Sequence, residues 1–237
     1  MTKSHSWGAR WIIPVDRPPL ENGTLTVVDG RISDIKAGDR SNADEDLGEV
    51  ALMPLLVNAH THLEFSSLEK PLGQPGMLLP DWIGEVLRWR SDQTASQTMQ
   101  AVALGLRESL VCGSTGIGEI ATSPWFQHLA LSDDILVRCF VERLGNRPEE
   151  SDGKIAEAQS WLQHRPEQPP TWYPGLSPHA PYSLCDALFE KLIARAVEDL
   201  LPVAMHVAES REELEFLKTG QGPFRQFLEK LHLPIES

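Results

Sequence analysis

The chain has 237 residues, 41% hydrophobic and 23% charged, enough for a sizeable core in one large or two modest domains, which excludes disorder over most of its length. A net charge of −13 argues against nucleic acid, which needs a basic surface, and against docking on anionic lipid; a small-molecule ligand remains. Lacking a signal-peptide core, any apolar stretch near the ~20 residues of a membrane helix and any CxxC pair, with only Cys112, Cys139 and Cys185 widely spaced, the sequence predicts a cytoplasmic protein with reduced, buried thiols.

The first fifty residues read as a small β unit. "ARWIIPV" is a strand, and "GTLTVVDGRISDIKAG" is two strands joined at Asp29-Gly30, a favoured two-residue hairpin turn. "DRSNADEDLGE" is polar and reads as a loop. The continuous apolar run "VALMPLLVNAH" predicts a strand buried on both faces. A breaker-rich connection follows, then a helix through "WIGEVLRWR" capped by Asp81, and a second through "QTMQAVALGLRESLVC" closed by Gly113.

Strand and helix then alternate. "STGIGEIA", "DILVRCFVERL", "WYPGLSPHA" and "PVAMHVAES" read as strands. Helical spacing marks a short helix near "PWFQHLA", then "GKIAEAQSWLQHR", "LCDALFEKLIARAVEDL" capped by Ser183, "REELEFLK" and "PFRQFLEKL". Five strand–helix units after a β prelude predict an α/β fold with a parallel sheet. A doubly wound sheet and a (β/α) barrel both fit this alternation. The first needs a glycine-rich phosphate loop, which "VNAHTHLEFSS" does not offer.

Chemistry concentrates at strand ends, where parallel α/β folds place their sites. His60 and His62 are two residues apart, so they share a strand face and suit a metal clamp; polar loop residues fit the same pattern. His206 ends another apolar run, with Glu209 three residues on; singly, these read as a core histidine and a first-turn acid. His179 lies between Pro178 and Pro181, a rigid setting that suits either a turn or substrate contact. His5, His128, His164 and His232 fall at a terminus, in helices or near helix ends.

"MPLLVNAHTHLE", "SPHAPYS" and "MHVAES", in that order, resemble the amidohydrolase superfamily, in its branch of adenosine-type, guanine and aminodeoxyfutalosine deaminases and chlorohydrolases. The resemblance covers nearly the whole chain. It implies a partial TIM-like (β/α) barrel of about five of eight units over 51–237, preceded over 1–50 by part of a small β-sandwich. It further implies metal ligation by His60, His62 and His206, proton transfer by Glu209, and substrate contact by His179 and Glu64. The strand-four segment has no lysine to bridge two metals, so one divalent ion is expected, zinc with iron as the alternative. Leu55 stands where the family usually has glycine.

The activity implied is hydrolytic deamination of a purine-type nucleoside or related heterocycle, with triazine-type chlorohydrolase or aminohydrolase chemistry as the alternative. The family's strand-six histidine and strand-eight aspartate have no counterpart before Ser237. A chain ending after five strands is therefore expected to lack turnover by itself, and a non-catalytic fragment is the third reading. A homo-oligomer is compatible with all three.

Overall fold

The computed structural model describes residues 2–38, 40–129, 134–163 and 172–235. Ala130, His164 and Arg165, at the ends of two predicted helices, lie outside them. The chain forms two compact units, Met1–Leu56 and Val57–Ser237.

The first unit is a five-stranded sheet. Strands β1 (Ser4–Ile12), β2 (Leu20–Val28) and β3 (Arg31–Lys36) pair antiparallel in sequence order, and β4 (Glu45–Asp46) and β5 (Ala51–Leu52) each pair parallel to β1. Asp29 and Gly30 have φ of 49° and 77°; this doubly positive turn matches the twist of the flanking strands. The polar stretch read as a loop contains a 3-10 turn at Arg40–Asn42 as well as β4.

The second unit is a mixed α/β fold around a four-stranded sheet ordered β6 (Leu56–Thr61), β7 (Ser114–Ala121), β8 (Leu136–Arg143), β9 (Trp172–Pro178). β7 pairs parallel with β8, and β8 with β9. Helices α1 (Leu79–Ser91) and α2 (Ala95–Val111) follow β6, α3 (Ser151–Gln163) follows β8, and α4 (Asp186–Glu198) follows β9. Helices α5 (Arg211–Thr219) and α6 (Pro223–Lys230) come last. Val137, Cys139 and Val141 alternate along β8 into the main core, with Val102 and Leu106 of α2 and Leu188 and Leu192 of α4. A second cluster joins Tyr182 to Phe216, Phe224 and Leu228 of α5 and α6.

Several expectations change. The apolar run at 50–60 is not one strand: it breaks between β5 and β6, and Leu56 and Val57 are 52% and 73% exposed. β6 is an edge strand whose one ladder neighbour among the described residues is β7, and residues 56–60 are exposed along it, so it is not covered on both faces. The segment predicted as the last strand runs extended beside β9. It makes a single bridge, Leu176 to Val203, with backbone bonds to Pro202, Ala204 and His206. Asp81 lies inside the first turn of α1, whose cap is Leu78, because Pro80 sets φ there and needs no partner for its nitrogen. The cap of α4 is Cys185, not Ser183, which belongs to a preceding 3-10 turn. The short helix after β7 is a 3-10 turn, Trp125–Gln127. Cys139 and Cys185 are buried, but Cys112, at the end of α2, is exposed. No helix among the described residues is long and apolar enough to cross a membrane.

Candidate active site

The carboxyl ends of β6, β8 and β9 and the segment after Val203 meet around a cavity of about 230 Å³. His60 and His62 come from the end of β6, and His206 from the segment beside β9. The Nε2 atoms of His62 and His206 are 3.2 Å apart, and their rings stack with centroids 5.3 Å apart. The His60 ring stands edge-on to both, at 5.2 Å and 4.9 Å. One ring nitrogen from each of the three lies within 4.8 Å of the others.

Backbone contacts fix how these rings are presented. The carbonyl of His179 accepts the backbone N–H of His206 at 2.8 Å and faces its Nδ1 at 3.1 Å. A carbonyl only accepts, so Nδ1 carries the proton and Nε2 presents its lone pair toward His62. His179 is set the same way. Its Nδ1 is 2.7 Å from the Ser183 hydroxyl, which gives its own proton to the Ala180 carbonyl at 2.9 Å. Nδ1 of His179 is therefore the donor, and its Nε2 is left as an acceptor. Burial, reinforced by His206, pushes both His62 and His179 down to about 3, and burial also lowers His60 and His206. The cluster is a set of neutral imidazoles, the form that binds metals.

Glu209 lines the same cavity. Its loop is held from below by Glu213, a carboxylate with 0% exposure that accepts the N–H of Ala208 at 3.1 Å and of Glu209 at 2.6 Å. Ser210 caps α5 by accepting from Glu213 N–H. Ala208 takes a φ of 61°, a left-handed conformation that costs a non-glycine residue about 1–3 kcal/mol and that the Glu213 bonds sustain. Burial, then Glu213, raises the carboxyl of Glu209.

Glu64 stands apart from the cavity wall. Its carboxylate accepts from Arg90 through Nε at 3.1 Å and through Nη2, and from Thr122 Oγ1 at 3.0 Å. Arg90 does line the cavity, at the end of an α1 face that also presents Leu79, Trp82, Ile83 and Val86. These positions fall on one side of a helix at spacings of three and four. The structure thus brings together His60, His62, His179, His206 and Glu209, and places Glu64 behind Arg90.

Three carboxylates escape a reading of the sequence that follows histidines. Glu142, next to last in β8, lines the cavity, and burial raises it to about 7. Glu119 on β7 accepts Leu63 N–H at 2.9 Å and so pins the turn after His62. Glu213 looks like an ordinary first-turn acid. The signal for Glu142 is the one that marks His206: a polar residue closing an apolar strand.

No protein-family model matches the chain. The aminodeoxyfutalosine deaminase of Deinococcus radiodurans is 32% identical over 186 residues, which cover 77% of this chain and 42% of that protein. Among solved structures, Helicobacter pylori aminofutalosine deaminase superposes with a TM-score of 0.75 at 21% identity, over 99% of this chain and 57% of that one. An adenosine deaminase from Xanthomonas campestris with bound zinc superposes with a TM-score of 0.64 at 21% identity, over 96% and 55%. The chain spans about half the length of the curated relatives it matches. These matches agree with the resemblance of its motifs to the amidohydrolase superfamily, in the branch that contains such deaminases.

Proposed function

We propose that the cavity is the catalytic centre of a metal-dependent hydrolase acting on carbon–nitrogen bonds other than peptides, which deaminates a purine-type nucleoside or related heterocycle. The observation that carries this reading is the convergence of three neutral imidazoles beside a carboxylate, Glu209. The donor set fits one divalent ion, zinc ahead of iron. Two nitrogens ~2.05 Å from a tetrahedral zinc are about 3.3 Å apart, and the Nε2 atoms of His62 and His206 are 3.2 Å apart. His60, His62 and His206 would hold a divalent ion, which would supply Lewis acidity to bring the pKa of water down toward ~7.

The chain's own residues do the rest. Glu209 moves protons from the attacking water to the ring and then to the departing amine. In the balance, a C–O bond replaces the C–N bond: one proton of water leaves with the amine as ammonia, and the other stays on the ring of the oxo product. His179 presents Nε2 to the substrate as an acceptor, held by Ser183. Glu64 acts through Arg90, keeping the guanidinium on the cavity wall. Leu79, Trp82, Ile83 and Val86 form an apolar side against which a flat heterocycle packs and from which water is excluded.

On this reading residues 51–237 are part of a TIM-like barrel, about five of eight units, and residues 1–50 are part of a β-sandwich. The protein works in the cytoplasm on a small molecule. The test is metal content together with product release, on protein expressed from its whole reading frame. One zinc per chain and ammonia from adenosine or 5′-methylthioadenosine are expected. Chloride release from a chlorotriazine in place of ammonia moves the protein to the alternative chemistry. Failure to take up zinc overturns both.

A further inference from the structure

The cavity contains a buried carboxylate with an oxygen that no described residue satisfies. Along β8 the side chains of Val137, Cys139 and Val141 enter the core beneath the helices. Glu142 falls on the opposite face by the two-residue period and lines the cavity. Its side chain is 2% exposed, and Oε1 is buried with no hydrogen-bond partner among the described residues. Nδ1 of His206 lies 3.8 Å from Oε1, beyond hydrogen-bond reach and already directed at the His179 carbonyl.

The neighbouring buried carboxylates behave differently. Glu64 is held by Arg90 and Thr122, Glu119 by Leu63 N–H, and Glu213 by two backbone N–H groups. A buried acceptor without a donor costs about 1–3 kcal/mol, more when charged. A fold retains such a group where something else supplies the donor.

A second cation is a poor candidate. Glu142, His179 and His206 do offer atoms within 4.8 Å of one another. However, the Nδ1 proton of His206 is committed to a carbonyl, and its Nε2 faces His62. Both clusters would need the same nitrogen. The remaining class is a ligand with N–H donors.

We infer that Glu142 is a specificity-determining residue that accepts a hydrogen bond from the amino group of an aminated heterocycle. This deepens the deaminase reading and rests on it. Glu142 thereby selects amino-bearing rings over rings of the same shape without a donor.

The probes are adenosine and 6-methylpurine riboside, which exchange an amino group for a methyl of similar size. Affinities are measured on the zinc-loaded protein in a Glu209→Gln background, so that nothing is consumed. The expected result is a preference for adenosine of tenfold or more, the scale of a hydrogen bond to a charged group. Glu142→Ala is expected to shrink it to under about threefold with zinc content unchanged, and Glu142→Gln, which keeps an acceptor, to restore part of it. Without ligand, Glu142→Gln is expected to raise the thermal midpoint, whereas loss of a purely structural carboxylate lowers it. An unchanged preference in Glu142→Ala overturns the inference and leaves deamination standing. A second zinc equivalent that Glu142→Ala abolishes also overturns it. If zinc binds and neither nucleoside does, the deaminase reading itself fails.

Discussion

His62 and His206 are 144 residues apart in the chain, yet their Nε2 atoms are 3.2 Å apart. The contact is made by the end of β6 and the extended segment beside β9, and the His179 carbonyl fixes which nitrogen of His206 faces His62. Two lone pairs at that distance repel each other unless a proton or a cation lies between them. Replacing either histidine by alanine is therefore expected to weaken zinc binding by more than the ~10–100-fold that loss of an outer hydrogen-bond partner costs. Competition against a chromophoric chelator measures this. Equal zinc affinity in His206→Ala and the parent protein rules the cluster out as the ion's site.

The placement of the histidines was legible because each closes an apolar run, and strand ends gather in one layer of a parallel sheet. The carboxylates were not. Glu213 looks like a first-turn acid favoured by the helix dipole, and only the fold shows its side chain turned inward under the Glu209 loop. Glu142 was hidden because attention to imidazoles passes over "FVERL", although it satisfies the same strand-end rule. The apolar run before His60 misleads in the other direction. Its composition is that of a doubly covered strand, but the residues of β6 are exposed from 56 to 60. Burial depends on neighbours, which local sequence does not report.

Glu213 sustains both the left-handed Ala208 and the direction of Glu209. Glu213→Ala leaves two backbone N–H groups without their acceptor. It is expected to destabilise the chain by about 2–4 kcal/mol and to lower kcat more than it raises KM, since Glu209 is displaced and the cavity wall is not. Glu213→Gln retains one acceptor oxygen and is expected to recover part of both. Urea midpoints and steady-state kinetics check this; a rise in KM with kcat untouched counts against a positioning role.

Gly118 lets β7 approach β6 closely. A Cβ at this position would lie 2.1 Å from the carbonyl oxygen of Ala59, a backbone atom that cannot turn aside. Gly118→Ala is expected to push β6 away, costing about 1–3 kcal/mol for overpacking and displacing His60 and His62 together. Zinc affinity is then expected to fall alongside stability, though no ligand has changed. Loss of stability with zinc affinity intact would show that the histidines are positioned independently of β6.

Glu119 connects the site to pH through a route other than the histidines. Burial raises its carboxyl well above 4.5, opposed by the Leu63 N–H it accepts and reinforced by Glu64. The folded chain therefore keeps this proton at pH values where the unfolded chain has lost it. The stabilisation is complete below about pH 4.5, near the unfolded carboxylate's own pKa, and drains away as pH rises toward the folded value. Glutamine has the same shape, still accepts from Leu63 and cannot ionise. Glu119→Gln is expected to match the parent chain near pH 4 and to be the more stable of the two at pH 8, so its stability declines less across that range. Thermal midpoints of both proteins at pH 4, 6 and 8 decide the matter. A constant offset at every pH would mean that Glu119 is ionised in the fold, and that its bond to Leu63, rather than its proton, is what the turn after His62 requires.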